Sequence, residues 1–306
     1  LSVSKSELGE EEKMQAMIVY GRALDQNNKQ LYQACKKLVG KTILARIMDM
    51  STYISQEESR FWVGDREIKN VTLCFLRSFG PGSCEQLNKR ICLMEHFAMT
   101  NTTVINLPEA FQKVRNKFST ACILKNAGLP VPKTYLTEMA HWAYRASRNF
   151  KQTVYKPLIG SLGFGSMKFD NIDMAFNAYK TLEQMGQPIH IQEYLENPGR
   201  DIRAFVIGEQ VIASIYRIAP SNTWKSNVAQ GSQCKPLQLQ PQLEEQVLKA
   251  TKVLNLFYAG VDILETVDGP VFLEVNGAPS WQGLREATGV NVAEHLVQYA
   301  IRLAKK

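Results

Sequence analysis

Two segments late in the chain place acidic or amide side chains where a strand would be expected to be apolar. In Gly260-Val261-Asp262-Ile263-Leu264 an aspartate interrupts an apolar run, and in Val271-Phe272-Leu273-Glu274-Val275-Asn276 a glutamate and an asparagine stand two residues apart. Side chains two apart on a strand share a face, so pairing the two segments would bring Asp262 beside Glu274 and Asn276. Three converging oxygen donors suit magnesium, which takes one or two carboxylates and completes its octahedron with water and phosphate oxygens. The alternative is a polar strand face turned to solvent, although Asp and Asn are poor strand residues without a reason to be there.

Earlier, Lys156-Pro157-Leu158-Ile159-Gly160-Ser161-Leu162-Gly163-Phe164-Gly165-Ser166 sets a lysine before a glycine-rich turn. Glycine lets backbone amides approach phosphate oxygens closely, and the lysine adds a point charge. No Gly-Lys-Ser or Gly-Lys-Thr closes the run, so it is not a Walker loop, and a plain hairpin would also account for it. In Ile191-Gln192-Glu193-Tyr194-Leu195, followed by Asp201-Ile202-Arg203, an apolar strand ends in polar residues. Such an end can offer backbone hydrogen bonds to a base and a carboxylate to a ribose, or be an ordinary exposed strand end. In Cys74-Phe75-Leu76-Arg77-Ser78-Phe79-Gly80-Pro81-Gly82-Ser83 a strand runs through an arginine and a glycine turn into a helix start. Helix N-termini attract anions and Arg77 adds a bidentate donor; a structural turn is the other reading.

These residues must be held by strands and helices, and the pattern supplies both. An apolar run at 16–20, a helix at 30–38, strands at 42–47, 71–75 and 103–105, and a helix capped by Ser83 to about Met99 alternate as an α/β unit with a mostly parallel sheet. A helix at 116–128 ends at Gly128. Strands at 153–157, 167–169, 190–195, 202–207 and 211–217, with a helix at 173–184, are spaced for antiparallel pairing. A helix at 242–254, strands at 259–264 and 271–275, and a helix at 292–303 complete the chain.

Composition narrows the classes. The 306 residues carry a formal net charge of +7, which favours an anionic partner without choosing one. The basic residues form no block and no recognised nucleic-acid module, so nucleic acid is not the expected partner. The six cysteines include no C-x-x-C pair and the four histidines lie far apart, so no zinc site is readable. The thiols read as half-buried, small apolar groups of a cytoplasmic protein. No apolar run approaches the ~20 residues of a membrane span. The polar, acidic residues 1–13 are expected to be a frayed end.

From about Asn116 to Ala304 the order of these motifs resembles the glutamate-ligase branch of the ATP-grasp superfamily, including the ribosomal-protein-modifying enzyme of that branch. The resemblance implies a mixed α/β (α+β) ATP-grasp fold in three parts: a preceding α/β domain at 14–107, a lid at 108–192 and a metal-binding carboxy-terminal part at 193–306. It also implies ATP with Mg2+, Mn2+ being an alternative metal. Lys117 and Lys156 would contact phosphates beneath Gly160, Ser161, Gly163 and Gly165, and Glu193, Tyr194 and Leu195 would hold adenine. Asp201 would join the nucleotide site, and Asp262, Glu274 and Asn276 would bind the metals. Arg203, Lys225 and Asn227 would act at the reacting groups; this branch often has arginine where Lys225 stands, and lysine keeps the charge but not the bidentate fork. The Arg77 to Ser83 run, with Glu85-Gln86 after it, resembles ligases that add glutamate to tetrahydromethanopterin-type pterins or to the deazaflavin coenzyme, which makes Arg77 and Ser83 candidate acceptor contacts. The implied reaction joins L-glutamate to a small acidic acceptor, in a homo-oligomer away from membranes.

Overall fold

The computed structural model describes residues 14–160, 163–220, 224 and 231–305. The chain forms two compact units, one running up to Pro108 and including the segment from Ala293 onward, the other Glu109–Val292.

In the first unit β1 (Gln15–Tyr20), α1 (Gln26–Leu38), β2 (Lys41–Arg46), β3 (Met50–Ile54), β4 (Ser59–Val63), β5 (Arg66–Ile68), β6 (Leu73–Leu76), α2 (Cys84–Ala98) and β7 (Thr103–Ile105) follow in order. The main sheet runs β2-β1-β6-β7 and is parallel throughout, as the alternation predicts. Ala16, Met17, Ile18 and Val19 are all fully buried, which is how a strand covered on both faces comes to read as a continuous apolar run. Helix α1 starts four residues before the expected 30, because the Asp25 carboxylate accepts from the Asn28 amide at 2.7 Å and caps it. Ser83 caps α2 as expected, with Gln86 completing the capping box. The antiparallel sheet β3-β4-β5 is an addition that the sequence reading did not contain.

The second unit begins with α3 (Pro108–Arg115) and α4 (Lys117–Asn126), the latter capped by the Asn116 side chain. β8 (Thr134–Thr137), α5 (Ala140–Ser147), β9 (Thr153–Tyr155), β10 (Met167–Phe169), α6 (Ile172–Gln184) and β11 (Ile189–Glu193) make a small antiparallel sheet, order β10-β9-β11-β8. The two helices bury Ala140, Ala143, Ala175 and Tyr179 against Tyr155, Ile189 and Ile191. β12 (Arg200–Ile207), β13 (Gln210–Ile218), β14 (Gln233–Leu237), α7 (Pro241–Val253), β15 (Tyr258–Thr266), β16 (Gly269–Asn276), α8 (Gln282–Thr288) and α9 (Val292–Ala304) follow. Their strands form a second antiparallel sheet, order β14-β13-β12-β15-β16. α9 lies almost wholly in the segment that goes with the first unit, where Glu294 pairs with Lys37 at 2.8 Å.

Cys35 and Cys74 fit the small-apolar reading: both are buried, and burial pushes the Cys35 thiol up to about 12. Cys84, Cys92 and Cys122 are exposed and do not fit it. Among the described residues no helix is long and apolar enough to cross a membrane.

Candidate active site

The five-stranded sheet of the second unit carries a charged band on one face. In the β15–β16 ladder Asp262 lies opposite Glu274 and Gly260 opposite Asn276, with a bulge just after Asp262. Arg203 of β12 is paired with Asp262, and Asp201, two residues earlier and so on the same face, is paired with Arg217 of β13. Arg203 donates from Nε to Asp262 Oδ1 and from Nη2 to Oδ2. Arg217 forks onto Asp201, Nε and Nη2 each at 2.7 Å from one carboxylate oxygen, and its Nη2 also lies 3.1 Å from Asp262 Oδ1. Burial alone would raise the Asp262 carboxyl, but the two guanidiniums outweigh it and hold the group below the usual carboxylate range. The Asp201 and Asp262 charges in turn push Arg217 up, against the desolvation that would lower it. Arg203 Nη1 has no acceptor among the described residues, and a Cβ on Gly260 would come within 3.2 Å of it. Glycine at that position leaves the guanidinium room.

Two lysines approach this band. Lys117, the first residue of α4, reaches Glu274 Oε1 at 3.5 Å and donates to the Gly160 carbonyl at 2.7 Å, which ties the glycine turn to β16. Lys156 follows β9 directly and its amide donates to the His190 carbonyl at 3.1 Å. Desolvation pushes its ammonium down to about 8; Glu274, Asp262 and Asp201 pull the other way, and Lys117 adds to the lowering. His190, fully buried beneath it, shares a hydrogen bond of 3.1 Å between Nδ1 and the Lys156 carbonyl. Burial pushes that imidazole down to about 4, so it is neutral at physiological pH. In the turn, Gly163 and Gly165 have φ of 71° and 74°, and a Cβ on Gly165 would stand 2.9 Å from Pro157.

The end of β11 supplies a polar backbone edge. The amides of Glu193 and Tyr194 donate to the carbonyls of Lys133 and Gln152, each at 2.9 Å, whereas the Leu195 amide finds no acceptor among the described residues. The Lys168 ammonium lies 4.1 Å from the centre of the Tyr194 ring.

A single cavity gathers Lys117, Lys156, Gly160, Gly163, Glu193, Tyr194, Leu195, Asp201, Asp262 and Glu274, all singled out from the sequence. Gly165, Arg203 and Asn276 flank it through the contacts above without lining it. Arg77 is in the first unit, buried, with Nε donating to Asn28 Oδ1 at 3.2 Å; Ser83 is there too, its hydroxyl engaged in the α2 cap. Ser161, Lys225 and Asn227 lie outside the described residues. Sequence reasoning missed Arg217 and Trp224, which also line the cavity, and gave no individual role to Gln192, Leu264 and Leu273 of the quoted motifs, which line it too. The one signal for Arg217 was a charge inside the apolar strand Val211-Ile212-Ala213-Ser214-Ile215-Tyr216-Arg217-Ile218.

Among the described residues no three carboxylate, imidazole or thiolate groups cluster as a metal site of their own. The donor set Asp262, Glu274 and Asn276 nevertheless fits magnesium, being hard oxygens on facing strand positions to which water and phosphate would be added.

The RimK-like ATP-grasp domain matches residues 114–300. The tetrahydromethanopterin:alpha-L-glutamate ligase of Methanosarcina acetivorans is 32% identical over 281 residues, covering 82% of this chain and 86% of that one. Its counterpart from Methanocaldococcus jannaschii is 35% identical over 244 residues, covering 78% and 82%. Among solved structures, the ATP-grasp ligase PsnB, complexed with a phosphomimetic variant of its minimal precursor, Mg and ADP, matches with a TM-score of 0.77 at 20% identity over 95% of this chain and 99% of that one. At that identity the likeness is one of fold. The chain belongs to the RimK-like ATP-grasp family. It is accordingly an ATP-dependent ligase of the kind that forms carbon-nitrogen amide bonds.

Proposed function

We propose that this ligase joins L-glutamate to the carboxylate of a tetrahydromethanopterin-type pterin coenzyme through an acyl phosphate. The observation that carries the ligase chemistry is the convergence of Lys117, Lys156, Asp262 and Glu274 in one cavity that also contains the Glu193 to Leu195 backbone edge. The names of relatives that this chain matches over about four fifths of its length support the choice of glutamate and pterin.

In this reading the Leu195 amide donates to the adenine ring, Asp201 stands on the ribose side, and Lys117 and Lys156 neutralise phosphate oxygens. Stabilising charge on the transferred phosphoryl group is where such a reaction gains most of its rate. Asp262, Glu274 and Asn276 would hold magnesium, which when bound supplies further positive charge to the phosphates. Arg203 directs its remaining donor, Nη1, to the acyl phosphate, and the glycine turn 160–165 excludes water from that intermediate. The acceptor carboxylate takes the γ-phosphoryl group and ADP leaves. The glutamate amine then attacks the acyl carbon, phosphate departs and the amine proton goes to solvent. Lys225 and Asn227 are proposed to steady the tetrahedral intermediate. Self-association and a cytoplasmic location belong to the same reading.

The test is mass spectrometry of candidate acceptors after incubation with enzyme, ATP, magnesium and glutamate. One added glutamyl unit on the pterin is the expected product. Modification of the deazaflavin coenzyme or of a peptide carboxy terminus, with the pterin untouched, would replace the acceptor and keep the ligase. No ADP release with any acceptor would leave a nucleotide-binding protein without turnover.

A further inference from the structure

Arg217 is the residue through which the two acidic ends of the cavity communicate. Its side chain is only 5% exposed, and its fork onto Asp201 fixes it on one side. The same Nη2 that completes the fork reaches across to Asp262 at 3.1 Å. Asp262 is thus held by two guanidiniums at once, Arg203 from its own ladder partner position and Arg217 from one strand further. Asp201, Arg217, Asp262 and Arg203 form a neutral quartet, and Lys117 with Glu274 adds a neutral pair.

That charge arrangement has a consequence for a divalent cation. A cation approaching Asp262 meets two fixed positive charges within hydrogen-bonding range of the carboxylate it needs, and Lys156 lines the same cavity. A polyphosphate supplies the missing negative charge and oxygen ligands together. Arg203 is the more exposed of the two arginines at 12% and has a donor left over, whereas Arg217 is anchored by Asp201.

We propose that Arg217 is a positioning residue that makes divalent-cation entry at Asp262 and Glu274 depend on bound nucleotide. It holds the Asp262 carboxylate in a fully hydrogen-bonded pose and balances its charge until phosphate oxygens arrive. The inference rests on the nucleotide and metal roles given above. It adds the order in which the two components bind and the residue that sets that order.

The experiment uses the full chain with Mn2+ as the probe, following free Mn2+ by electron paramagnetic resonance with and without ADP and no acceptor. Wild-type protein should bind Mn2+ at least about tenfold more weakly alone than with ADP. Arg217→Met removes the balancing charge and should tighten binding of Mn2+ alone by about tenfold or more. Arg217→Lys retains the charge and should stay near wild type, a distinction that a merely structural role would not produce. Arg217→Gln, which can still donate to Asp201, serves if the methionine variant does not fold. Equal Mn2+ affinity with and without ADP, or folded Met and Gln variants that bind Mn2+ alone no better than wild type, overturns the proposal. Glu274→Gln separates the two levels of argument. If it leaves Mn2+ binding in the presence of ADP unchanged, the metal-site reading itself fails and not merely its control by Arg217.

Discussion

Lys156 combines a half-buried position at the cavity wall with a charge that the fold alone does not favour. Its pKa is lowered from the ordinary 10.5 to about 8, first by desolvation. The unfolded chain therefore binds more protons than the folded one between about pH 8 and 10.5, and stability rises with pH across that window. Below about pH 8 the full cost of charging the desolvated amine is present. Lys156→Met should accordingly raise the melting temperature of the nucleotide-free protein at pH 7, with the gain fading as pH climbs from 8 towards 10.5, while ATP no longer shifts the melt. Thermal melts across pH check both halves, and a variant that is destabilised at pH 7 contradicts the assignment. Glu274→Gln removes one negative charge with little change in volume; it should reduce magnesium-dependent ADP release by at least about a hundredfold while leaving the circular dichroism spectrum intact. At this scale the sequence was legible where strand periodicity acts: the two-residue offset of Glu274 and Asn276 and the facing position of Asp262 all appear in the register. Arg217 was not legible, because its partner Asp201 lies on another strand and only the ladder brings them together.

The glycine turn between β9 and β10 shows what an element adds to its residues. Ile159 is 54% exposed and Phe164 64% exposed, so two apolar side chains flank a turn whose glycines leave no room for a Cβ at Gly165. Exposed apolar groups beside a cavity gain most when the turn closes over a ligand, as the proposed nucleotide role requires. ATP with magnesium should slow amide exchange across 160–165, and Gly165→Ala, forced into a positive φ and against Pro157, should weaken that protection and lower kcat at least about tenfold. Exchange that is unchanged by saturating nucleotide would count against closure. Long elements with apolar periodicity or a cap, such as α2 and α6, were readable to within a residue or two. The β3-β4-β5 sheet was not, since its strands run for only five, five and three residues and expose much of their surface. β8, α3 and α8 were not read either; β8 has no buried residue to give it an apolar alternation, unlike the equally short β7, whose Val104 and Ile105 are buried.

For the whole molecule, sequence gave access to one global quantity, the formal net charge of +7, and to the change from a parallel to an antiparallel sheet along the chain. It did not reveal that the segment from Ala293 onward goes with the first unit, because a terminal helix carries no mark of the surface on which it packs. The net charge bears directly on the proposed substrates, since ATP, glutamate and a carboxylate acceptor are all anions. A positive protein draws such ligands over distances comparable to the Debye length, about 10 Å at 0.1 M salt, and this attraction is screened as salt rises. At saturating ATP and magnesium, kcat/KM for the acceptor should therefore fall by about threefold to tenfold between 0.02 and about 0.3 M potassium chloride, while kcat, which is measured after encounter, changes less. Steady-state rates over a salt series make the comparison, with a viscosity control to separate charge from diffusion. A flat kcat/KM would mean that the acceptor is recognised only by contacts inside the site, and a fall confined to kcat would transfer the salt effect to the charged band around Asp262.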